Sequence, residues 1–188
     1  APLAKGAKHL SPQKFHEALE DPSAVVIDVR NANETLIGRF APPGGAEYID
    51  PRMRRSTEFP EWVRRNKAKL EGKKILMYCT GGVRCERASA FLTQEGIKPH
   101  GQLEGGIHRY LETYKEEGGH WVGKNYVFDR RFAHGADKHD VVSRCGACLE
   151  PWDRYQAGAR CPSCSMEVLV CRACQRAKKA PPKCHLCT

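Results

Sequence analysis

The ten cysteines of this 188-residue chain stand in two settings that point to different chemistry. Two of them, Cys79 and Cys85, lie in the stretch CTGGVRCE at residues 79–86. The other eight form four Cys-x-x-Cys pairs: Cys145/Cys148, Cys161/Cys164, Cys171/Cys174 and Cys184/Cys187. A thiolate is the reactive form of cysteine, so a loop that uses one must pull the thiol pKa down from about 8.5. The first stretch has three means of doing so. It leads into a helical pattern whose N-terminal N–H groups favour negative charge. Gly81 and Gly82 let the backbone curl, so that N–H groups converge on one point. Arg84 adds a permanent positive charge at the far end of the loop. Cys79 and Arg84 are therefore the candidate catalytic residues, with Thr80, Gly81, Gly82 and Val83 as the cradle between them. Cys85 has two readings: a thiol that resolves an oxidised or sulfur-carrying Cys79 as a disulfide, or a small residue packed in the first helical turn.

The paired cysteines read as metal ligands. Eight thiolates make two tetrahedral sites of four, the closed geometry of structural zinc. Iron–sulfur ligation uses the same ligands, and spacing alone leaves it open. A disulfide scaffold is disfavoured, because thiols at two-residue gaps suit a metal and a reducing compartment. SMEVLV, between Cys164 and Cys171, reads as a strand about 20 Å long. Pairs two and three then sit at opposite ends and serve different metals. Two pairings remain, one with three and two with four, or one with two and three with four; we favour the first, crossed arrangement. His185 is a spare ligand that a full set of eight cysteines does not need. His134 and His139 read as surface loop residues. No motif for an organic cofactor is present.

The elements that position these residues alternate. SPQKFHEALE (11–20) reads as a helix with Ser11 as N-cap and Pro12 in the first turn. AVVIDV (24–29) and KILMYC (74–79) are short apolar runs that read as buried strands. PPGGAEY (42–48) reads as loop. Helical patterns cover 58–70, 85–95 and 106–117, with Gly96 ending the second and Gly118 and Gly119 the third. HGQL is a short strand, and YVF (126–128) a further one. Strands alternating with helices predict an α/β fold, a mostly parallel sheet with helices on both faces. In such folds the site lies at the carboxyl ends of the strands, which is where CTGGVR falls. Asp28 and Arg30, at the end of the first buried strand, read as residues that hold the loop through ion pairs rather than as catalysts.

These motifs resemble the rhodanese family. CTGGVR resembles its active-site loop, VVIDVRNANETLIGRF (25–40) its first signature, and LEGGIHRY (103–110) its second. The resemblance implies a rhodanese-like parallel sheet and a loop cysteine, Cys79, that carries sulfane sulfur as a persulfide. Only four residues separate Cys79 from Arg84. The cell-cycle phosphatases of similar fold have a longer loop, so phosphatase chemistry is disfavoured. The run CTGGVRCERASAFL, QLEGGI, GKNYVFDRR and the cysteine tail is similar, more narrowly, to the bacterial tRNA uridine hydroxylases and their eukaryotic relatives, the thiosulfate sulfurtransferase-like domain-containing proteins. That resemblance implies formation of 5-hydroxyuridine at the tRNA wobble position. The bacterial proteins carry a further α/β domain ahead of the rhodanese domain, whereas about ten residues precede it here.

The expected organisation is a rhodanese domain at 8–120, a connector with a short strand at 121–144, and a small cysteine-rich two-zinc module at 145–188. The charge fits an RNA partner. The net is +9; residues 1–124 hold 20 basic and 16 acidic residues, and residues 125–188 hold 11 and 6, so +4 and +5. RMRR (52–55), RRNKAK (64–69) and RAKK (176–179) are the basic clusters. No apolar run approaches the roughly 18 residues of a membrane span. The expected partners are tRNA or another RNA and a sulfur donor or acceptor, with no membrane and no DNA. The expected location is an intracellular reducing compartment, with no targeting segment visible. Two other functions stay open: a persulfide sulfurtransferase, and a non-catalytic ribonucleoprotein component.

Overall fold

The computed structural model describes residues 6–127, 133–134, 141–155 and 159–188. The strands are β1 (His9–Leu10), β2 (Ala24–Asp28), β3 (Gly38–Phe40), β4 (Glu47–Ile49), β5 (Lys74–Tyr78), β6 (Gly101–Leu103), β7 (Trp121–Gly123), β8 (Asn125–Tyr126) and β9 (Ala133–His134). The helices are α1 (Pro12–Leu19), α2 (Ala32–Thr35), α3 (Phe59–Leu70), α4 (Val83–Gln94), α5 (Gly106–Thr113) and α6 (Arg172–Arg176). Five strands form one sheet in the order β1-β6-β5-β2-β4, and every pairing in it is parallel. The α/β expectation is borne out.

The two central strands are buried on both faces because their alternating side chains meet helices either way. Ala24, Val26, Leu76 and Tyr78 face α1 and α5, packing on Phe15, Leu19, Ile107, Tyr110 and Leu111. Val25, Ile27, Ile75 and Met77 face α3 and α4, packing on Phe59, Val63, Leu70, Ala88 and Leu92. Cys79 and Cys85 belong to this second cluster. The chain leaves β5 at the carboxyl edge, turns through Cys79–Gly82 and enters α4. Ser11 caps α1 as expected, its Oγ accepting the Lys14 N–H at 3.4 Å.

Several local expectations are corrected. The 42–48 segment is not all loop: Glu47 and Tyr48 join edge strand β4, paired with Val25 and Val26 of β2. α4 starts at Val83 rather than at residue 85, since Gly82 at φ +88° forms its cap. α5 stops at Thr113 rather than at residue 117, where Tyr114 leaves helical dihedrals at φ −109°, ψ 47°. Residues 121–123, read as the start of a connector, form β7, antiparallel to β3. Of the YVF strand, Tyr126 lies in β8, Val127 outside it, and Phe128 outside the described residues; His139 also lies outside them. His134, read as loop, is in β9, paired with Asn125. SMEVLV is not a strand. It contributes one isolated bridge, Arg160–Glu167, because Ser165 turns to φ +61° to wrap the second cysteine pair.

Candidate active site and metal centres

The loop cysteine is almost wholly covered, with 1% of its surface exposed. The Gly82 N–H points at its Sγ at 3.2 Å. The thiol pKa is drawn down to about 6, first by a hydrogen bond from the Cys85 side chain, then by the charge of Arg84 and the N–H groups of Cys85 and Arg84, all against the cost of burial. Cys85 is raised well above the ordinary thiol value by burial and by its charged neighbour. It stays a neutral donor while Cys79 ionises.

Two glycines make this loop possible. Gly82 supplies the left-handed turn into α4. Gly106, at φ +65°, opens α5 against the loop: a Cβ there would stand 2.6 Å from the carbonyl oxygens of both Cys79 and Thr80. That close approach lets the Ile107 N–H donate to the Cys79 carbonyl at 3.0 Å and the His108 N–H to the Thr80 carbonyl at 3.1 Å. The N-terminus of α5 thus holds the loop's carbonyls while its N–H groups turn inward to the sulfur.

Arg84 does not stand alone. Glu34, fully buried in α2, accepts both of its terminal nitrogens at 2.6 and 2.8 Å. Thr80 Oγ1 accepts from Arg84 at 2.9 Å and donates to Glu34 at 3.2 Å. Glu34 also accepts the Asn31 N–H at 3.0 Å. Sequence reading missed Glu34. The signal was the Asn31-x-x-Glu34 spacing of a capping box, which places this carboxylate at the start of a short helix.

Asp28 and Arg30 lie behind that layer, both fully buried. Arg30 grips both Asp28 oxygens, at 2.9 and 2.6 Å, and donates to the carbonyls of Glu34 and Gly38 at 3.3 and 2.7 Å. Its guanidinium lies 5.5 Å from the Tyr78 ring and 5.1 Å from that of Trp121. Tyr78, kept protonated by burial, donates to Asp28 at 2.6 Å. This pair fixes α2 and β3, and through the Glu34 backbone it sets the partner of Arg84. Beside the loop opens a groove of about 580 Å³, lined by Val29, Phe59, Val83, Arg84, Arg87 and Phe91 among others. Val83 at the loop tip is 77% exposed.

The eight paired cysteines come together as two tetrads. Cys145, Cys148, Cys171 and Cys174 form one, and Cys161, Cys164, Cys184 and Cys187 the other, which is the crossed pairing. Sulfur separations of 3.7 Å (Cys148–Cys171) and 3.6 Å (Cys164–Cys184) match the edge of a tetrahedron with metal–sulfur bonds of about 2.3 Å, roughly 3.8 Å. Both tetrads begin with the same knuckle. Arg144 donates to the Leu149 carbonyl and Arg160 to that of Ser165, each at 3.0 Å. Leu149 and Ser165 both have positive φ. The Cys171 N–H donates to Cys145 Sγ and the Cys184 N–H to Cys161 Sγ, each at 3.3 Å. The donor set and its spacing fit a four-thiolate metal.

The module seats on the rhodanese part beside the active loop. Tyr155 donates to the Asn33 carbonyl at 2.6 Å, one residue before Glu34. Lys124 pairs with Asp153 at 2.6 Å. Ile37, Tyr155 and Leu169 form a small shared core. Arg52 donates to the His185 carbonyl at 2.7 Å, and Arg54 to Cys187 Sγ at 3.3 Å. Two of the three arginines of the RMRR cluster are therefore spent on the module, and His185 offers its backbone there.

The rhodanese-like domain family matches residues 11–113, and the family described as rhodanase C-terminal matches residues 122–188. The rhodanese-like domain-containing protein 6 of Arabidopsis thaliana is 41% identical over 98% of this chain and 33% of its own length. The tRNA uridine(34) hydroxylase of Acholeplasma laidlawii is 43% identical over 92% of this chain and 53% of its own. A rhodanese-related protein of Thermoplasma volcanium, of known structure, is 26% identical over 56% of this chain and 92% of its own, with a TM-score of 0.42. The chain thus spans a third to about half the length of these curated relatives. With a match running unbroken from α1 to the end of α5, and the cysteine loop seated at the carboxyl end of β5 inside it, the chain belongs to the rhodanese family.

Proposed function

We propose that this chain uses Cys79 as a nucleophilic thiolate to modify tRNA, in the oxygen-dependent formation of 5-hydroxyuridine at the wobble uridine, with dioxygen as the oxidant and source of the added oxygen. The observation that carries the reading is the Cys79 cradle: a buried thiol drawn down to about 6 amid converging N–H groups, Cys85 and Arg84. Similarity over 92% of the chain to a protein named tRNA uridine(34) hydroxylase supports it.

In this reading Cys79 is the attacking atom. The Gly82, Arg84 and Cys85 N–H groups stabilise its charge, and Glu34 holds Arg84 at a fixed distance. Thr80, Gly81, Gly82 and Val83 form the short backbone cradle between Cys79 and Arg84. Asp28 and Arg30 are positioning residues. The groove at Phe59, Arg87 and Phe91 is the place for the acceptor, with rings on which a base stacks. The chain divides into the catalytic domain at 8–120, a connector at 121–144 whose first strand, β7, pairs with β3 of that domain, and the module at 145–188. The two tetrads hold zinc, which supplies folding energy to the module and leaves no open position for substrate. Exposed Arg172, Arg176, Lys178 and Lys179 add phosphate contacts. The free thiols and thiolate tetrads suit a reducing compartment. No described helix is long and apolar enough to cross a membrane.

The cradle's size favours one rival. A thiolate that attacks a sulfane sulfur displaces the donor's leaving group and keeps the sulfur as a persulfide, for transfer to a thiol acceptor. The deciding experiment is mass spectrometry of tRNA nucleosides from cells lacking the protein, rescued with wild type or Cys79→Ser. Loss of 5-hydroxyuridine derivatives, restored by wild type alone, is the expected result. Unchanged nucleosides overturn the reading in favour of persulfide transfer.

A further inference from the structure

The last cysteine pair, Cys184/Cys187, takes its support from the other domain. The first two pairs each carry an arginine one residue ahead, Arg144 and Arg160, whose guanidinium closes the knuckle on a carbonyl of the same segment. The fourth pair has Lys183 in that place, and its two inner carbonyls are held by the RMRR cluster instead. Arg52 donates to the His185 carbonyl at 2.7 Å, and Arg54 to the Leu186 carbonyl at 3.4 Å. The same Arg54 nitrogen reaches Cys187 Sγ at 3.3 Å, and the guanidinium also hydrogen-bonds the Cys164 side chain. Cys164 and Cys187 are the half-buried members of the second tetrad, whereas Cys161 and Cys184 are buried.

A divalent ion held by four thiolates keeps a net negative charge, spread over sulfur. A guanidinium N–H on such a sulfur makes a charge-assisted hydrogen bond. The bond draws electron density from the sulfur, which lowers its nucleophilicity and its readiness to leave the metal. The first tetrad differs. Cys145 Sγ takes the backbone N–H groups of Cys171 at 3.3 Å and Ala147 at 3.4 Å. Among the described residues, no cationic side chain bonds a sulfur of that tetrad.

We propose, on the reading that both tetrads hold zinc, that the second centre is completed across the domain boundary: Arg54 is the charged outer partner that shields its two half-buried cysteines and ties the centre to the rhodanese domain. A guanidinium has no lone pair to offer a metal, so Arg54 is a positioning residue that acts through sulfur. Its planar fork serves a carbonyl and two sulfurs at once, which the single ammonium of a lysine does not reproduce.

The test is alkylation of the zinc-loaded full chain by N-ethylmaleimide. Elemental analysis counts zinc beforehand, and peptide mass spectrometry follows each cysteine. Wild type is expected to hold one zinc ion per tetrad and to react slowly at Cys164 and Cys187. Arg54→Ala should speed alkylation of those two on the order of tenfold, with loss of the zinc they hold, and leave Cys148 of the first tetrad at its wild-type rate. Arg54→Lys should recover part of the protection. Arg55→Ala, at an exposed neighbour, should match wild type. Arg54 is itself exposed, so its substitution opens no buried gap. Unchanged rates at Cys164 and Cys187 in Arg54→Ala overturn the proposal. So does equal acceleration at Cys148, the mark of a general loosening of the module. Wild type without zinc overturns the zinc reading and this one together, whereas full zinc with unchanged rates overturns this one alone.

Discussion

Glu34 and Arg84, fifty residues apart in sequence, close a bidentate ion pair in which the carboxylate has no exposed surface. The pair fixes the only cation in direct reach of the Cys79 cradle among the described loop residues. Glu34→Ala leaves the Arg84 guanidinium, 22% exposed and still bonded to Thr80, without its carboxylate, so it should cost about 1–3 kcal/mol of stability. It should also slow Cys79 alkylation at neutral pH. Denaturant unfolding and iodoacetamide kinetics measure the two effects. Unchanged alkylation by a folded variant would show that Arg84 positioning does not govern the thiol.

The pH dependence has a definite sign. Cys79 is depressed to about 6, so its thiolate persists at neutral pH, and alkylation should fall as pH drops through about 6. The same depression stabilises the fold above the unfolded thiol value of about 8.5, and this stabilisation is lost as pH falls through about 6. Cys85→Ala removes the leading cause, so the alkylation midpoint should move up toward the ordinary thiol range. A midpoint that stays put in Cys85→Ala would exclude the Cys85 hydrogen bond as the cause.

Gly106→Ala places a methyl group against the Cys79 and Thr80 carbonyls. The loop or α5 must then shift, and the Ile107 and His108 N–H bonds to the loop should break. Activity should fall while metal content stays at the wild-type level. Activity kinetics beside metal analysis check this, and a variant as active as wild type would show that the α5 contact is dispensable.

The crossed tetrads predict an unequal response to paired substitutions. Cys148→Ser with Cys171→Ser strikes one tetrad and should lose one metal. Cys148→Ser with Cys164→Ser strikes both and should lose two. Elemental analysis of the purified variants distinguishes crossed from sequential pairing.

Tyr155→Phe removes the hydroxyl bonded to the Asn33 carbonyl. The expected loss is about 1 kcal/mol, read by equilibrium unfolding. Hydrogen exchange at α2 should rise if the module braces the helix that carries Glu34.

Much of this protein is written in its sequence at short range. The apolar runs around Val26 and Leu76, the glycines that follow Cys79 and the Cys-x-x-Cys spacing are local patterns, each tied to a turn, a strand or a metal edge by the geometry of a few residues. They are enough to place Cys79 at the end of β5 and to pick out the eight cysteines that gather into two tetrads. The partner of Arg84 is not local. Glu34 lies on a four-residue helix too short for periodicity to reveal, and only the parallel pairing of β2 with β5 brings it beside the loop. The hold of Gly106 on the Cys79 carbonyl, the interleaving of the cysteine pairs and the reach of Arg54 to Cys187 likewise join residues far apart in the chain. SMEVLV shows the converse: its β-branched composition favours a strand, and the knuckle geometry around Cys161 and Cys164 overrides it. Residue types and spacing determined which groups can react or ligate. Tertiary structure decided which of them meet, because burial and ion pairing act on distance in space rather than in sequence.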